Sequence, residues 1–182
     1  MIDRSALIAL LRERSVKHGD FILASGKKSR FYIDARLTTM SPEGLSMIGT
    51  LGLSALSQAG WNVDSIGGLT LGADPISYAI SYASALSRPL RAFTVRKESK
   101  SYGAGKLIEG PFREGDRVAV IEDVITTGGS AIRATQAIQN AKGIVAGVLA
   151  LVDREEGGRA SIEALGIPVI SLVQASEITK PD

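Results

Sequence analysis

Between residues 117 and 153 the chain reads RVAVIED, then SAIRATQAIQNAKG, then IVAGVLALVD. Two nearly unbroken apolar runs of strand length flank a stretch with helical spacing, and that succession constrains the fold more than any other feature. A strand with one face in water alternates apolar and polar residues, whereas a strand without alternation must be covered on both faces. Joining two such strands through a helix makes them parallel neighbours. The unit recurs upstream, where SIGGL and LRAFTV bracket the helical stretch DPISYAISYASAL, and PVISLV adds a last strand. The expected class is α/β, with a parallel central sheet flanked by helices. SPEGLSMIGTLGLSALSQAG supplies a further helix, with Ser41 as N-cap, Pro42 at the first helical position and Gly60 at the stop. FILASGKKSRFYIDAR has strand-like ends around Gly26 and reads as a hairpin outside the main sheet.

At 182 residues and 45% hydrophobic, the chain is long enough for one domain with a substantial core, so residues 1–182 are expected to form a single domain. Cysteine is absent, which excludes disulfides, thiolate catalysis and cysteine-ligated zinc. The single histidine, His18, leaves no material for a catalytic triad or a multi-histidine metal site and is expected at a helix end or turn. MIDRSALIALLRERS sets Asp3, Arg4, Arg12, Glu13 and Arg14 around a short apolar stripe, the pattern of an amphipathic helix and not of a secretory signal. No apolar window reaches the length of a membrane span. A soluble, cytoplasmic protein with no membrane partner is expected. A net charge of +2 is too small for a sequence-independent grip on nucleic acid, so no nucleic-acid partner is expected.

The residues that carry chemistry cluster in VIEDVITTGGSA, residues 120–131. Val118 to Ile121 reads as a buried strand, Glu122 and Asp123 stand at its carboxyl end, and a helix opens at Ser130. In open α/β sheets, ligands bind beyond that edge. A turn through Thr126, Thr127, Gly128 and Gly129 can aim several backbone N–H groups at one anion, with the helix N-terminus adding partial positive charge and the hydroxyls adding donors. The pattern lacks the lysine of a phosphoryl-transfer loop, so the turn is suited to holding a phosphate and not to attacking it. Glu122 and Asp123, acceptors when ionised, suit the vicinal hydroxyls of a sugar. Together these groups describe a site for a ribose 5-phosphate. Upstream, VRKESKSYGAGKLIEG, residues 95–110, places Arg96, Lys97, Lys100 and Lys106 in a glycine-containing segment directly after a strand. It reads as a basic lid whose charges can meet a diphosphate, or as a solvated loop in which Glu98 and Glu109 offset the cations.

VIEDVITTGGS resembles the loop with which type I phosphoribosyltransferases bind phosphoribosyl diphosphate (PRPP). That resemblance implies the type I phosphoribosyltransferase fold: a parallel central sheet, a small hood subdomain (here residues 1 to about 40 plus the C-terminal part) and a loop that closes over the site. The spacing R-K-E-x-K-x-Y-G and the hairpin LASGKKSRFYIDAR are similar to the lid and hood of the orotate-using branch of the family. GGLTLGADP is similar to its diphosphate-side loop, and LVDREEGG extends the likeness over nearly the full chain. Within that resemblance PRPP is held by Arg96, Lys97, Lys100, Tyr102, Glu122, Asp123 and the run Val124, Ile125, Thr126, Thr127, Gly128, Gly129 and Ser130. Orotate is held by Thr126, Arg154, Lys27 and Tyr32, and Arg96, Lys97, Lys100 and Asp123 carry catalysis.

The implied reaction joins orotate to PRPP, giving orotidine 5′-monophosphate and diphosphate in pyrimidine synthesis. The implied cofactor is Mg²⁺, bound mainly by PRPP and water and by no protein ligand directly. The implied assembly is a homodimer with shared active sites. Arg154 has an alternative reading as a surface ion pair with Glu155 or Glu156. The chain departs from the family pattern at three positions: Tyr102 stands where many members have histidine, and Ala24 and Gly72 where many have lysine. Two other functions are compatible with the turn alone: a type I enzyme for a purine or uracil, and a non-catalytic PRPP-sensing regulator. The lid spacing and Arg154 distinguish the orotate branch from the first. The absence of an appended helix-turn-helix speaks against the second.

Overall fold

In the computed structural model, which describes residues 3–22, 26, 28–98 and 106–180, the chain runs in order through fifteen elements. They are α1 (Arg4–Ser15), β1 (Val16–Ile22), β2 (Lys28–Ile33), α2 (Arg36–Thr39), α3 (Pro42–Gln58), β3 (Ser65–Leu69), α4 (Ala73–Ser84), β4 (Arg91–Val95), β5 (Ile108–Glu109), β6 (Arg117–Ile125), α5 (Gly129–Asn140), β7 (Ile144–Asp153), α6 (Gly158–Glu163), β8 (Val169–Gln174) and α7 (Ala175–Ile178). The main sheet has the order β5-β4-β3-β6-β7-β8. Strands β4, β3, β6, β7 and β8 are mutually parallel, as the unbroken apolar runs require. The sheet is nevertheless mixed and not purely parallel. β5, inside the segment read as a lid, adds antiparallel to the edge of β4 through Thr94↔Glu109 and Val95↔Ile108.

β6 shows how the sequence builds two cores at once. Successive side chains point to opposite faces, so Ala119 and Ile121 join Leu7, Leu11, Ile48, Leu56, Ile76 and Ile80 from α1, α3 and α4. Val118 and Val120 join Ala131, Ala134, Ile138 and Ile162 from α5 and α6. Each fully buried aliphatic side chain is worth about 1.5–3 kcal/mol relative to exposure, so a strand contributing to both layers is anchored more firmly than an edge strand. α3 starts where its sequence says: the Ser41 hydroxyl accepts from the Gly44 N–H at 3.1 Å, with Pro42 beside it.

β1 and β2 form a separate antiparallel pair. His18 is in β1, paired with Phe31, and not at a helix end or turn as expected. The chain passes from α1 into β1 at Val16, which already has extended dihedrals, so no connecting turn exists for the histidine to occupy. The hairpin is largely exposed along β1. At the far end of the chain, Glu177 of α7 takes the Arg4 guanidinium at 2.9 and 2.5 Å, tying the last helix to α1. Among the described residues no helix is long and apolar enough to cross a membrane.

Candidate active site

β6 is longer than the apolar run that announces it. Its pairing with β3 ends at Gly67↔Val120, but its pairing with β7 continues through Glu122↔Ala150, Val124↔Val152 and Ile125↔Asp153. Glu122 and Asp123 therefore lie within the strand and not at its end. They occupy the stretch beyond the last β3–β6 pair, and a cleft of about 870 Å³ opens there. Glu122 is 8% exposed, and its Oε2 has no hydrogen-bond partner among the described residues. Burial, reinforced by the neighbouring Asp123 charge, pushes the Glu122 carboxyl well above its ordinary value of 4.5. Asp123 is more open, and its Oδ1 accepts from the Val124 N–H at 2.9 Å.

Beyond Ile125 the chain turns through Thr126, Thr127 and Gly128 into α5. Gly128 is left-handed (φ 84°), and a Cβ there would stand 2.8 Å from the Gly158 carbonyl oxygen. A glycine is needed on both counts. The first N–H groups of α5 have no carbonyl one turn back to receive them, and Thr126, Thr127 and Ser130 line the cleft beside them. An anion at this end would meet hydroxyls, orphan amides and the positive end of the helix dipole together.

The opposite wall is built of side chains from distant segments. Tyr32 and Ile22 come from the hairpin, Asp34 and Arg36 from the segment after it, Thr70 to Gly72 from the loop after β3, and Arg154 from the end of β7. Arg154 does pair with Glu156, at 2.8 Å, but not at the surface: it is 5% exposed. Its guanidinium carbon is 4.7 Å from the centre of the Phe31 ring, and its Nη2 donates to Ser29 Oγ at a long 3.3 Å. Glu156 engages the Nε and Nη2 edge. The Nη1 side bonds none of the described residues, which leaves a second donor edge at the cleft.

Comparison with known proteins places this constellation. Over 182 residues, covering 98% of each chain, the sequence is 48% identical to the orotate phosphoribosyltransferase of Aquifex aeolicus. The chain belongs to the orotate phosphoribosyltransferase family. A second orotate phosphoribosyltransferase, from Rhodopseudomonas palustris, is 43% identical, with 97% of this chain and 96% of that one aligned. The orotate phosphoribosyltransferase of Mycobacterium tuberculosis, solved in complex with PRPP, superposes with a TM-score of 0.82 at 38% identity over 97% of this chain and 99% of that one. No protein-family model matches the chain.

Of the residues expected to serve an orotate phosphoribosyltransferase site, the structure brings Glu122, Asp123, Val124, Thr126, Thr127, Ser130, Arg154, Tyr32 and Lys97 to one cleft. Ile125 instead turns into the core, and Gly128 and Gly129, at the start of α5, do not line the cleft. Arg96 does not line the cleft of its own chain; it lies 3.7 Å from Glu109, and its Nε donates to the Glu98 carbonyl at 3.4 Å. Lys27, Lys100, Tyr102 and Ala24 lie outside the described residues. Sequence reasoning missed Asp34, Arg36 and the Phe31 ring beneath Arg154. All three sit in or beside the quoted hairpin, but which of its side chains face the sheet depends on packing and on no local pattern.

Proposed function

We propose that this protein transfers the 5-phosphoribosyl group of PRPP to orotate, releasing diphosphate, with Mg²⁺ as cofactor. The supporting observation is one cleft that joins an acidic pair, an anion-holding turn and a buried arginine with a free donor edge. In this reading the turn from Thr126 to Ser130 anchors the 5′-phosphate. Asp123 and Glu122 accept from the ribose hydroxyls. The bond from ribose C1 to diphosphate breaks as the base approaches, so positive charge grows on the ring and negative charge on the leaving group. Lys97 stands at the cleft to meet the latter. At about 4 Å one such charge pair is worth roughly 4 kcal/mol at an effective dielectric of about 20, against about 1 kcal/mol in water.

Arg154 offers its Nη1 side to the orotate carboxylate while Glu156 and Phe31 hold the group in place, an arrangement a lysine could not reproduce. Bound Mg²⁺ would neutralise charge on the diphosphate. No group of three or more His, Asp or Glu side chains among the described residues is placed to hold a metal. The ion would draw its oxygens chiefly from PRPP and water, a mode usual for Mg²⁺. We further propose a cytoplasmic homodimer in which the basic lid serves the neighbouring site. The position of Arg96, turned to Glu109 and away from its own cleft, supports that arrangement.

The test is direct. The protein is incubated with Mg²⁺, PRPP and a panel of bases (orotate, uracil, adenine, guanine, hypoxanthine), and diphosphate release is followed. Release that depends on orotate alone is expected. Release with a purine or with uracil in its place, or no base-dependent release, would overturn the proposal.

A further inference from the structure

Gly72 raises a question that backbone conformation does not answer. Its dihedrals, φ −63° and ψ −43°, are ordinary right-handed helical values open to any residue, and it stands at the N-cap of α4, where a polar side chain is usually the better choice. The need for glycine comes from across the cleft. A Cβ built on Gly72 would fall on the carboxyl group of Asp123, inside contact distance of its carbon and both oxygens, with Oδ1 at 2.6 Å. The carboxylate occupies the space that a side chain at 72 would take.

The loop carrying Gly72 cannot retreat easily. The Thr70 N–H donates to the Val95 carbonyl at 2.8 Å, and the Thr70 hydroxyl donates to Asp74 Oδ2 at 2.7 Å. Asp74 Oδ1 is held in turn by the Thr94 hydroxyl at 2.8 Å. On the next position, Ala73 is 1% exposed. The loop is thus bonded to β4 on one side and packed into the core on the other. The Asp123 carboxylate is the end of a short side chain whose Oδ1 accepts from the Val124 N–H at 2.9 Å, a lighter hold than that on the loop, so it is the group that would give way.

We infer that Gly72 is a positioning residue for PRPP: its missing side chain defines where Asp123 presents its acceptors to the ribose. The inference rests on the proposed reading of Asp123 as a ribose ligand. It assigns the loop between β3 and α4 a role distinct from any contact of its own with ligand. It also separates stability from function in sign. Replacing a glycine by alanine at compatible dihedrals restricts the unfolded chain and stabilises, whereas at this position it would damage the site.

The experiment compares wild type, Gly72→Ala, Asp123→Ala and the double variant, measuring PRPP affinity by titration calorimetry, steady-state KM and kcat, and the thermal midpoint. Gly72→Ala is expected to weaken PRPP by about 10-fold or more, the loss that follows when a charged hydrogen bond is displaced. Its KM for orotate at saturating PRPP should stay close to that of wild type, and its thermal midpoint should be unchanged or raised. In the Asp123→Ala background the same substitution should add nothing, because the space is empty there. Wild-type PRPP affinity in Gly72→Ala, or an equal loss in both backgrounds, would overturn the inference while leaving the ribose reading intact. Undiminished PRPP binding by Asp123→Ala would remove the ribose reading itself, and the inference with it. If Gly72→Ala unfolds where the double variant folds, the contact is upheld; if both unfold, it is refuted.

Discussion

The floor and the roof of the cleft are built on different principles. The floor is one continuous segment, β6, the turn and α5, whose acidic pair and anion-holding amides are set by a strand paired with β7 along its full length. The roof is assembled from the hairpin, the loop after β3 and the end of β7, and its cation is held by Glu156, Ser29 and Phe31. In the proposed reading, backbone positions the phosphoribosyl end and side chains position the base end. The difference teaches where tolerance should lie. Damage to the floor strikes the group common to every turnover, whereas damage to the roof strikes the choice of base.

The largest effect is expected at the floor. Asp123→Asn keeps the shape and replaces an acceptor with a donor facing the ribose hydroxyls, so turnover should fall at least about 100-fold, the scale of losing a charged hydrogen bond and adding a mismatch. The thermal midpoint should hold near that of wild type. Normal PRPP binding and turnover in the variant would remove the ribose assignment.

At the roof, Arg154→Ala should weaken use of orotate by about 10- to 150-fold, roughly 1.5–3 kcal/mol, with little change in PRPP affinity. Because Arg154 is buried beside Glu156, the fold must be checked by circular dichroism, and Arg154→Lys serves as the milder variant that keeps charge and loses the fork. Unchanged orotate kinetics in a folded Arg154→Ala protein would take Arg154 out of the site, and equal losses for both substrates would erase the division between floor and roof.

The same division decides what could be read from the sequence. The floor was legible because its signals are local: an apolar run, two acids, then threonines and glycines within a dozen residues. Even there the strand end was misplaced, because charged residues normally close a buried strand. Here Glu122 is tolerated in the ladder since the pairing with β3 has ended before it. The hairpin was legible as a hairpin, but the stacking of Phe31 under Arg154 joins residues far apart in the chain, and no periodicity encodes it. β5 escaped because two residues carry no pattern. Gly72 was visible only as a departure from the family; its contact with Asp123 exists in three dimensions alone.

A smaller effect tests whether the lid serves the site of another molecule. Lys100→Ala in the lid and Asp123→Asn in the floor should each be nearly inactive alone. If the lid acts across a dimer, a mixed dimer has one doubly damaged site and one intact site. With complete exchange of equal amounts, about half the dimers are mixed and about a quarter of wild-type activity returns. Mass spectrometry establishes the exchange. Mixed dimers without recovered diphosphate release would place lid and floor in the same subunit.

The smallest effect concerns stability and belongs to the floor. Burial first, then the Asp123 charge, raises the folded-state value of Glu122 above 4.5. The unfolded chain releases this proton near 4.5, while the folded protein keeps it to higher pH. Between those two values the folded state binds more protons than the unfolded one, so this group's contribution is complete below 4.5 and is lost as pH rises through the folded value. Glu122→Gln does not titrate and should lack that loss. Asp34 and Glu177, whose values are lowered chiefly by their bonds to Arg36 and Arg4, act with the opposite sign in acid. They are common to both proteins and cancel in the difference. Thermal midpoints taken at steps from pH 4.5 upward should therefore show wild type losing ground to Glu122→Gln, by roughly 2–4 °C for each kcal/mol in a chain of this size. Parallel curves would mean that Glu122 ionises as readily in the fold as out of it, and that β6 carries its buried acid at no cost. The asymmetry between floor and roof would then rest on geometry alone.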